Sequence, residues 1–152
     1  MILEAKEIFK IYKGVNKELT VLDNINFQVT KGEILSIVGP SGSGKTTLLG
    51  LCAGLDNQSS GTIKLAGEPI SQLTENEKAE IRNRKVGFIF QNFQLLPTLT
   101  ALENVMIPME LQGRSIGARA KAIELLKRVG LGGRHDHYPS QLSGGEKQRV
   151  SL

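Results

Sequence analysis

The 152-residue chain has no tryptophan, two tyrosines, five phenylalanines and one cysteine. Binding of single-stranded nucleic acid relies on aromatic stacking platforms, so this scarcity argues against that class. A lone thiol cannot close an internal disulfide, and Cys52 lies in the apolar run Leu48 to Leu55, where a small buried side chain is expected rather than a reactive one. No segment approaches the roughly 20 apolar residues of a membrane-spanning helix. Met1-Ile2-Leu3-Glu4-Ala5-Lys6-Glu7 carries charge where a secretion signal needs its apolar stretch, so a cytoplasmic location is expected. Lys and Arg exceed Asp and Glu by 19 to 15, but the two signs are interleaved along the chain. This pattern describes a mildly basic surface, and no nucleic-acid partner is expected.

What is present is enough for a core: 39% of the residues are hydrophobic, and 17 glycines against five prolines indicate tight turns and close backbone approaches. There is no internal repeat and no low-complexity tract. Residues 1 to 38 read as strands, with Ile25, Phe27 and Val29 alternating with polar neighbours and Ile34-Leu35-Ser36-Ile37-Val38 suited to a buried parallel strand. A glycine loop follows, then a helix over Lys45 to Leu55. Thr62 to Ala66 and Val86 to Gln91 are two further strand candidates, with an exposed helix from Leu73 to Arg84 between them. From Leu96 the chain reads as mainly helical, interrupted by Pro97 and Pro108. Ala122, Leu125, Leu126 and Val129 line one helical face before Gly130 ends it.

Gly39-Pro40-Ser41-Gly42-Ser43-Gly44-Lys45-Thr46 fills every fixed position of G-x-x-x-x-G-K-[ST], between an expected strand and an expected helix. Glycines let successive backbone N–H groups turn toward an anion, and the positive end of the following helix adds to that field. Lys45 is expected to reach the β- and γ-phosphates of ATP, with the Thr46 hydroxyl on Mg²⁺ and Thr47 as a further contact. The alternative, a glycine-rich turn followed by chance by Lys-Thr, has to reproduce four fixed positions in the same context.

Near the other end stands Leu142-Ser143-Gly144-Gly145-Glu146-Lys147-Gln148-Arg149. Alone it would be a serine-capped helix start after a turn. Together with the phosphate loop it resembles the signature motif of ATP-binding cassette (ABC) ATPases. That resemblance implies an α/β P-loop NTPase fold with an N-terminal antiparallel β subdomain and a helical insertion. The expected divisions are 1–95 for the β subdomain and phosphate-loop core, 96–140 for the helical subdomain, and 141–152 for the signature. It also implies a head-to-tail dimer with a second ABC ATPase subunit, in which Ser143, Gly144 and Gly145 contact the nucleotide held by the partner, and attachment to transmembrane permease subunits. Gln91 matches the family's Q-loop glutamine, which approaches Mg²⁺ and the attacking water. Tyr12 matches the aromatic residue that stacks on adenine. The string from Gly87 to Val105 is similar to the branch that serves lipoprotein release and macrolide or peptide export.

In the family the signature helix is followed by an apolar strand ending in Asp-Glu, an aspartate loop and a switch histidine, none of which has a candidate within residues 1 to 152. The resemblance therefore implies an incomplete core sheet, a C-terminally truncated chain, and ATP binding with poor hydrolysis. Leu19-Thr20-Val21-Leu22-Asp23 belongs with the early strands rather than with that catalytic strand. His135-Asp136-His137 reads as a solvated connector, because a metal site needs further ligands. Two other functions remain open: a non-catalytic nucleotide-binding interaction module, and a soluble ABC ATPase of DNA repair. The compact interval between Lys45 and Ser143 disfavours the second.

Overall fold

The computed structural model describes residues 1–15 and 17–152. They form two compact units, Met1–Val86 and Gly87–Leu152.

The first unit is built on a four-stranded antiparallel sheet. Strand β1 (Leu3–Lys13) pairs with β2 (Glu18–Val29) on one side and with β3 (Ser60–Leu65) on the other. A two-residue strand β4 (Glu68–Pro69) closes the order β2-β1-β3-β4. The alternation at Ile25, Phe27 and Val29 is realised in β2, which also takes in Leu19 to Asp23 as expected. Helix α1 (Lys45–Cys52) lays Leu48, Leu51 and Cys52 into a core with Ala5, Ile8, Leu22, Ile63 and Ile70. Ile8, Leu51 and Ile63 are fully buried, and burial of such a side chain stabilises by roughly 1.5–3 kcal/mol.

Helix α1 ends three residues earlier than expected, at Cys52 rather than Leu55. Gly54 adopts φ +67°, its amide donates to Leu51 at 3.0 Å, and the Leu55 amide donates to Gly50 at 2.9 Å. Those two reversed bonds terminate a helix by satisfying its last carbonyls. The next helix, α2 (Glu75–Lys85), is capped by Thr74 and Glu77, which exchange side-chain and backbone hydrogen bonds.

Two expected strands do not form. Ile34 to Val38 and Val86 to Gln91 lie outside regular secondary structure, and neither joins the sheet. A strand exists by its hydrogen-bonded ladder, and among the described residues no strand pairs with either run. Ile34 and Val38 are consequently 92% and 87% exposed, although Ile37 still packs against the core. The sheet as formed is thus wholly antiparallel, and the parallel core expected around the phosphate loop is incomplete.

The second unit contains α3 (Ala101–Leu111), α4 (Ala118–Arg128) and α5 (Gly144–Val150). Pro97 lies ahead of α3, but Pro108 does not interrupt it: the helix runs through to Leu111. Near its start the Asn104 amide donates to the carbonyls of Leu96, Leu99 and Thr100 at 2.9–3.1 Å, tying the preceding loop to the helix. Ala122 and Leu126 of α4 are buried with Ala101, Leu102, Leu131, Leu142 and Val150. Gly130, at φ +76°, ends α4 as the sequence implies. His135 and His137 have a structural part that the sequence does not reveal. Their carbonyls accept from the amides of Leu102 and Ala101 at 2.9 and 2.8 Å and so complete the first turn of α3. No group of His, Cys, Asp and Glu side chains among the described residues is arranged to hold a metal.

Candidate nucleotide site

Residues Gly39 to Ser43 form an exposed loop that enters α1 through Gly44. Gly44 has φ +85°, and a Cβ there would meet the Val21 carbonyl oxygen at 2.9 Å and the Leu22 side chain at 3.0 Å. Only glycine satisfies both the left-handed backbone and the tight approach to β2.

The Lys45 ammonium folds back over the loop. It donates to the carbonyls of Gly39 at 2.9 Å and Pro40 at 2.6 Å, and lies 3.5 Å from the Ser43 hydroxyl. One cation thereby ties the start of the loop to the start of the helix, and a positive charge is held over the ring that results. Thr46, at the second helical position, is exposed, and Thr47 is half-buried.

The start of α1 also differs electrostatically from most others in the chain. Helices α2, α3 and α5 each begin with a Ser or Thr cap and a glutamate that bonds back to it. Their N-termini are thereby partly neutralised. Helix α1 has no side-chain cap and no acidic residue in its first turn. Its leading amides and dipole face outward without an internal carboxylate, an arrangement suited to an anion. Helix α4 is likewise entered through a left-handed glycine, Gly117. What sets α1 apart is the ammonium held over its loop.

Tyr12 belongs to the same unit, and strand register places it near the loop. Gly44 abuts Val21 and Leu22, while Leu22 pairs with Lys10 and Leu19 pairs with Tyr12. From Val21 to Leu19 is two residues of strand, about 7 Å. Tyr12 is 45% exposed, and its hydroxyl donates to Asp56 at 3.3 Å.

Sequence reasoning missed the network around this tyrosine. Lys10 is buried, with its ammonium 2.7 Å from the Asp56 carboxylate and 2.6 Å from the Asn57 carbonyl. Lys78, also buried, donates to the Asn57 side chain at 2.7 Å and to Glu75 at 2.8 Å. Arg82 donates to the Gly54 carbonyl at 2.6 Å. Three cations from β1 and α2 thus hold the turn that follows α1, where they also complement the negative end of its dipole. The only sequence trace is Lys10 two residues before Tyr12 on one strand.

Gln91 and the Ser143 motif lie in the second unit. Gln91 is exposed, in a turn followed by Phe93 and Gln94 at φ +60° and +47°. Ser143 caps α5, which begins at Gly144. The Ser143 hydroxyl accepts from the Glu146 amide at 3.3 Å, and the Glu146 carboxylate accepts from the Ser143 amide at 2.8 Å. This start therefore carries a carboxylate, unlike that of α1. Gly144 and Gly145 are exposed and both take φ outside the left-handed region, and a Cβ on either would clash with nothing inside the chain. Nothing in the fold requires glycine at either position.

No helix among the described residues is long and apolar enough to cross a membrane. Cys52 is buried, and loss of hydration pushes its thiol up to about 11, the inert character expected of it.

The chain is similar along nearly its whole length to known proteins. It is 46% identical over 152 residues to the lipoprotein-releasing system ATP-binding protein LolD of Alcanivorax borkumensis, covering 99% of this chain and 67% of that protein. It is 48% identical over 150 residues to the uncharacterized ABC transporter ATP-binding protein YbbA of Escherichia coli K12, covering 96% and 66%. Among solved structures, a dimeric post-hydrolysis state of the ATP-binding cassette MJ0796, bound to ADP and Pi, superposes with a TM-score of 0.89 at 39% identity, covering 98% of this chain and 66% of that one. The chain thus spans about two thirds of the length of the relatives it matches. A family profile described as ABC transporter matches residues 22–152, a span that includes both the phosphate loop and the Ser143 motif, and the chain belongs to that family as its ATP-binding part.

Proposed function

We propose that this chain is the nucleotide-binding part of a transport ATPase, holding ATP with Mg²⁺ at the Gly39–Thr47 loop and coupling it to a membrane permease at the cytoplasmic face. The observation that carries this reading is the Lys45 ammonium folded over an uncapped, acid-free helix start. Lys45 turns from the Gly39 and Pro40 carbonyls to the terminal phosphates, the amides of residues 42 to 46 cradle the β-phosphate, and Tyr12 stacks on the base. Thr46 offers the metal an exposed hard oxygen at the start of α1. When bound, Mg²⁺ neutralises charge on the β- and γ-phosphates.

Ser143, Gly144 and Gly145 are proposed to meet the nucleotide of a second cassette in a head-to-tail dimer. Two glycines in the first turn of α5 weaken a helix that has no internal need of them. Close approach of a molecule from outside accounts for their presence. The MJ0796 structure is of a dimer, which supports the same reading.

The isolated 152 residues are proposed to bind ATP and to turn it over slowly, because residues 1 to 152 contain no apolar strand ending in Asp-Glu to activate water. Titration with ATP and Mg²⁺ tests the proposal: saturable binding weakened roughly tenfold or more by Lys45→Ala is expected, alongside phosphate release near background. Binding unaffected by Lys45→Ala would remove the loop from the site.

A further inference from the structure

The Lys10 ammonium has three partners at once: the Asp56 carboxylate at 2.7 Å, the Asn57 carbonyl at 2.6 Å, and the Tyr12 ring, whose centroid lies 4.8 Å away. Asp56 in turn accepts from the Tyr12 hydroxyl at 3.3 Å. The ring is therefore held at two points, its face by the cation and its tip by the carboxylate. With Lys10 over one face and 45% of the residue still exposed, the surface left for stacking is the opposite face.

We infer that Lys10 and Asp56 are positioning residues for base recognition, fixing the Tyr12 ring so that its open face is presented to the purine of a nucleotide held at Gly39–Thr47. The inference rests on the reading of Tyr12 as the stacking residue. The same triad links that ring to the phosphate loop, because Asp56 and Asn57 follow directly on the turn that ends α1, while the loop leads into its start. The base and phosphate ends of the site are thus joined through one short helix. A ring already held in place loses little rotational freedom on stacking, so more of the contact energy appears as affinity. Neutralising either charged partner frees the ring without removing it. The Lys10 hydrogen bond is also the main reason that the Asp56 carboxyl titrates below its ordinary range.

The experiment compares calorimetric affinities for ATP and for inorganic tripolyphosphate, with Mg²⁺, in the whole chain. Tripolyphosphate engages the loop without a base and serves as the internal control for folding and for the phosphate site. Asp56→Asn and Lys10→Met are each expected to weaken ATP by about two- to fivefold, the scale of an exposed cation–π or stacking contact, while tripolyphosphate is unchanged. In a Tyr12→Ala background neither substitution should weaken ATP further. Equal losses for both ligands would mean that the pair supports α1 alone, and would overturn the inference. Loss of ATP affinity in Tyr12→Ala with none in Asp56→Asn or Lys10→Met would also overturn it, while leaving the stacking reading intact. An unchanged ATP affinity in Tyr12→Ala would overturn the stacking reading, and the inference with it.

Discussion

The amide of Ser143 donates to the carboxylate of Glu146 at 2.8 Å, and the other carboxylate oxygen lies 3.3 Å from Arg134 Nε. The residue that opens the proposed inter-subunit surface is thus held by a reciprocal cap, itself braced from the loop before it. Ser143→Ala should destabilise the second unit by about 0.5–2 kcal/mol, the range for losing a serine cap. Urea unfolding followed by circular dichroism measures it. A midpoint equal to that of the parent chain would show that the cap contributes nothing.

Gly144→Ala is expected to separate folding from assembly. Beyond its own chain neighbours and helix backbone, no atom of the described residues lies within 4 Å of the added methyl, and alanine favours a helix over glycine by roughly 0.5–1 kcal/mol. The variant should unfold at slightly higher urea and yet lose ATP-dependent dimerisation in sedimentation velocity with a complete partner cassette. Dimerisation at the parent level would place the partner's nucleotide elsewhere.

Lys45→Ala is predicted to leave stability nearly unchanged and to weaken triphosphate binding. Its three contacts lie within an exposed loop, whereas hydrogen bonds from a charged donor to phosphate are each worth about 1.5–3 kcal/mol. An affinity loss of roughly tenfold or more follows. Differential scanning fluorimetry with and without ATP reads both effects, and a large drop in the ligand-free midpoint would mean that the loop depends on Lys45 for its fold.

Acid should unfold the chain through its helix caps. Glu146 and Glu103 are held below the ordinary glutamate range chiefly by the amides of Ser143 and Thr100, and Glu77 chiefly by the Thr74 hydroxyl. A folded pKa below the unfolded one contributes stability that is present above the unfolded value and is lost as pH falls through the folded one. Helicity should therefore hold down to about pH 4 and decline below it. The triple variant Glu77→Gln, Glu103→Gln, Glu146→Gln should flatten that acid limb, and an unchanged limb would exclude the caps as its source.

Cys52 should resist thiol reagents in the native state. With its pKa raised to about 11, the folded state keeps the proton that the unfolded state releases from about pH 9, so stability from this group falls as pH rises across that window. A disulfide reagent at pH 8 should modify the thiol slowly in buffer and at once in guanidinium. Equal rates would contradict its burial.

Local rules made much of the architecture readable. The phosphate loop, the alternating Ile25, Phe27 and Val29, the α4 face and its stop at Gly130 depend on periodicity and glycine chemistry within a few residues. The caps were equally available, since Thr74, Thr100 and Ser143 each stand three residues before a glutamate, and that pattern locates α2, α3 and α5. Ile34 to Val38 and Val86 to Gln91 misled because apolar runs state a preference for strand, while strand itself requires a neighbour that local sequence does not supply. Pro108 misleads in the other direction: at the eighth position of α3 its chemistry implies a break, and the structure carries the helix through it.

Chain order alone decides that Gly39 to Thr46 forms a glycine loop leading into a helix, because that conformation is a property of neighbouring residues. It cannot decide that Lys10, Tyr12 and Asp56 meet. The contacts of Lys10 and Tyr12 with Asp56 join positions 46 and 44 residues apart, and only the pairing of β1 with β2 and β3, with α1 packed on that sheet, brings them within hydrogen-bonding reach.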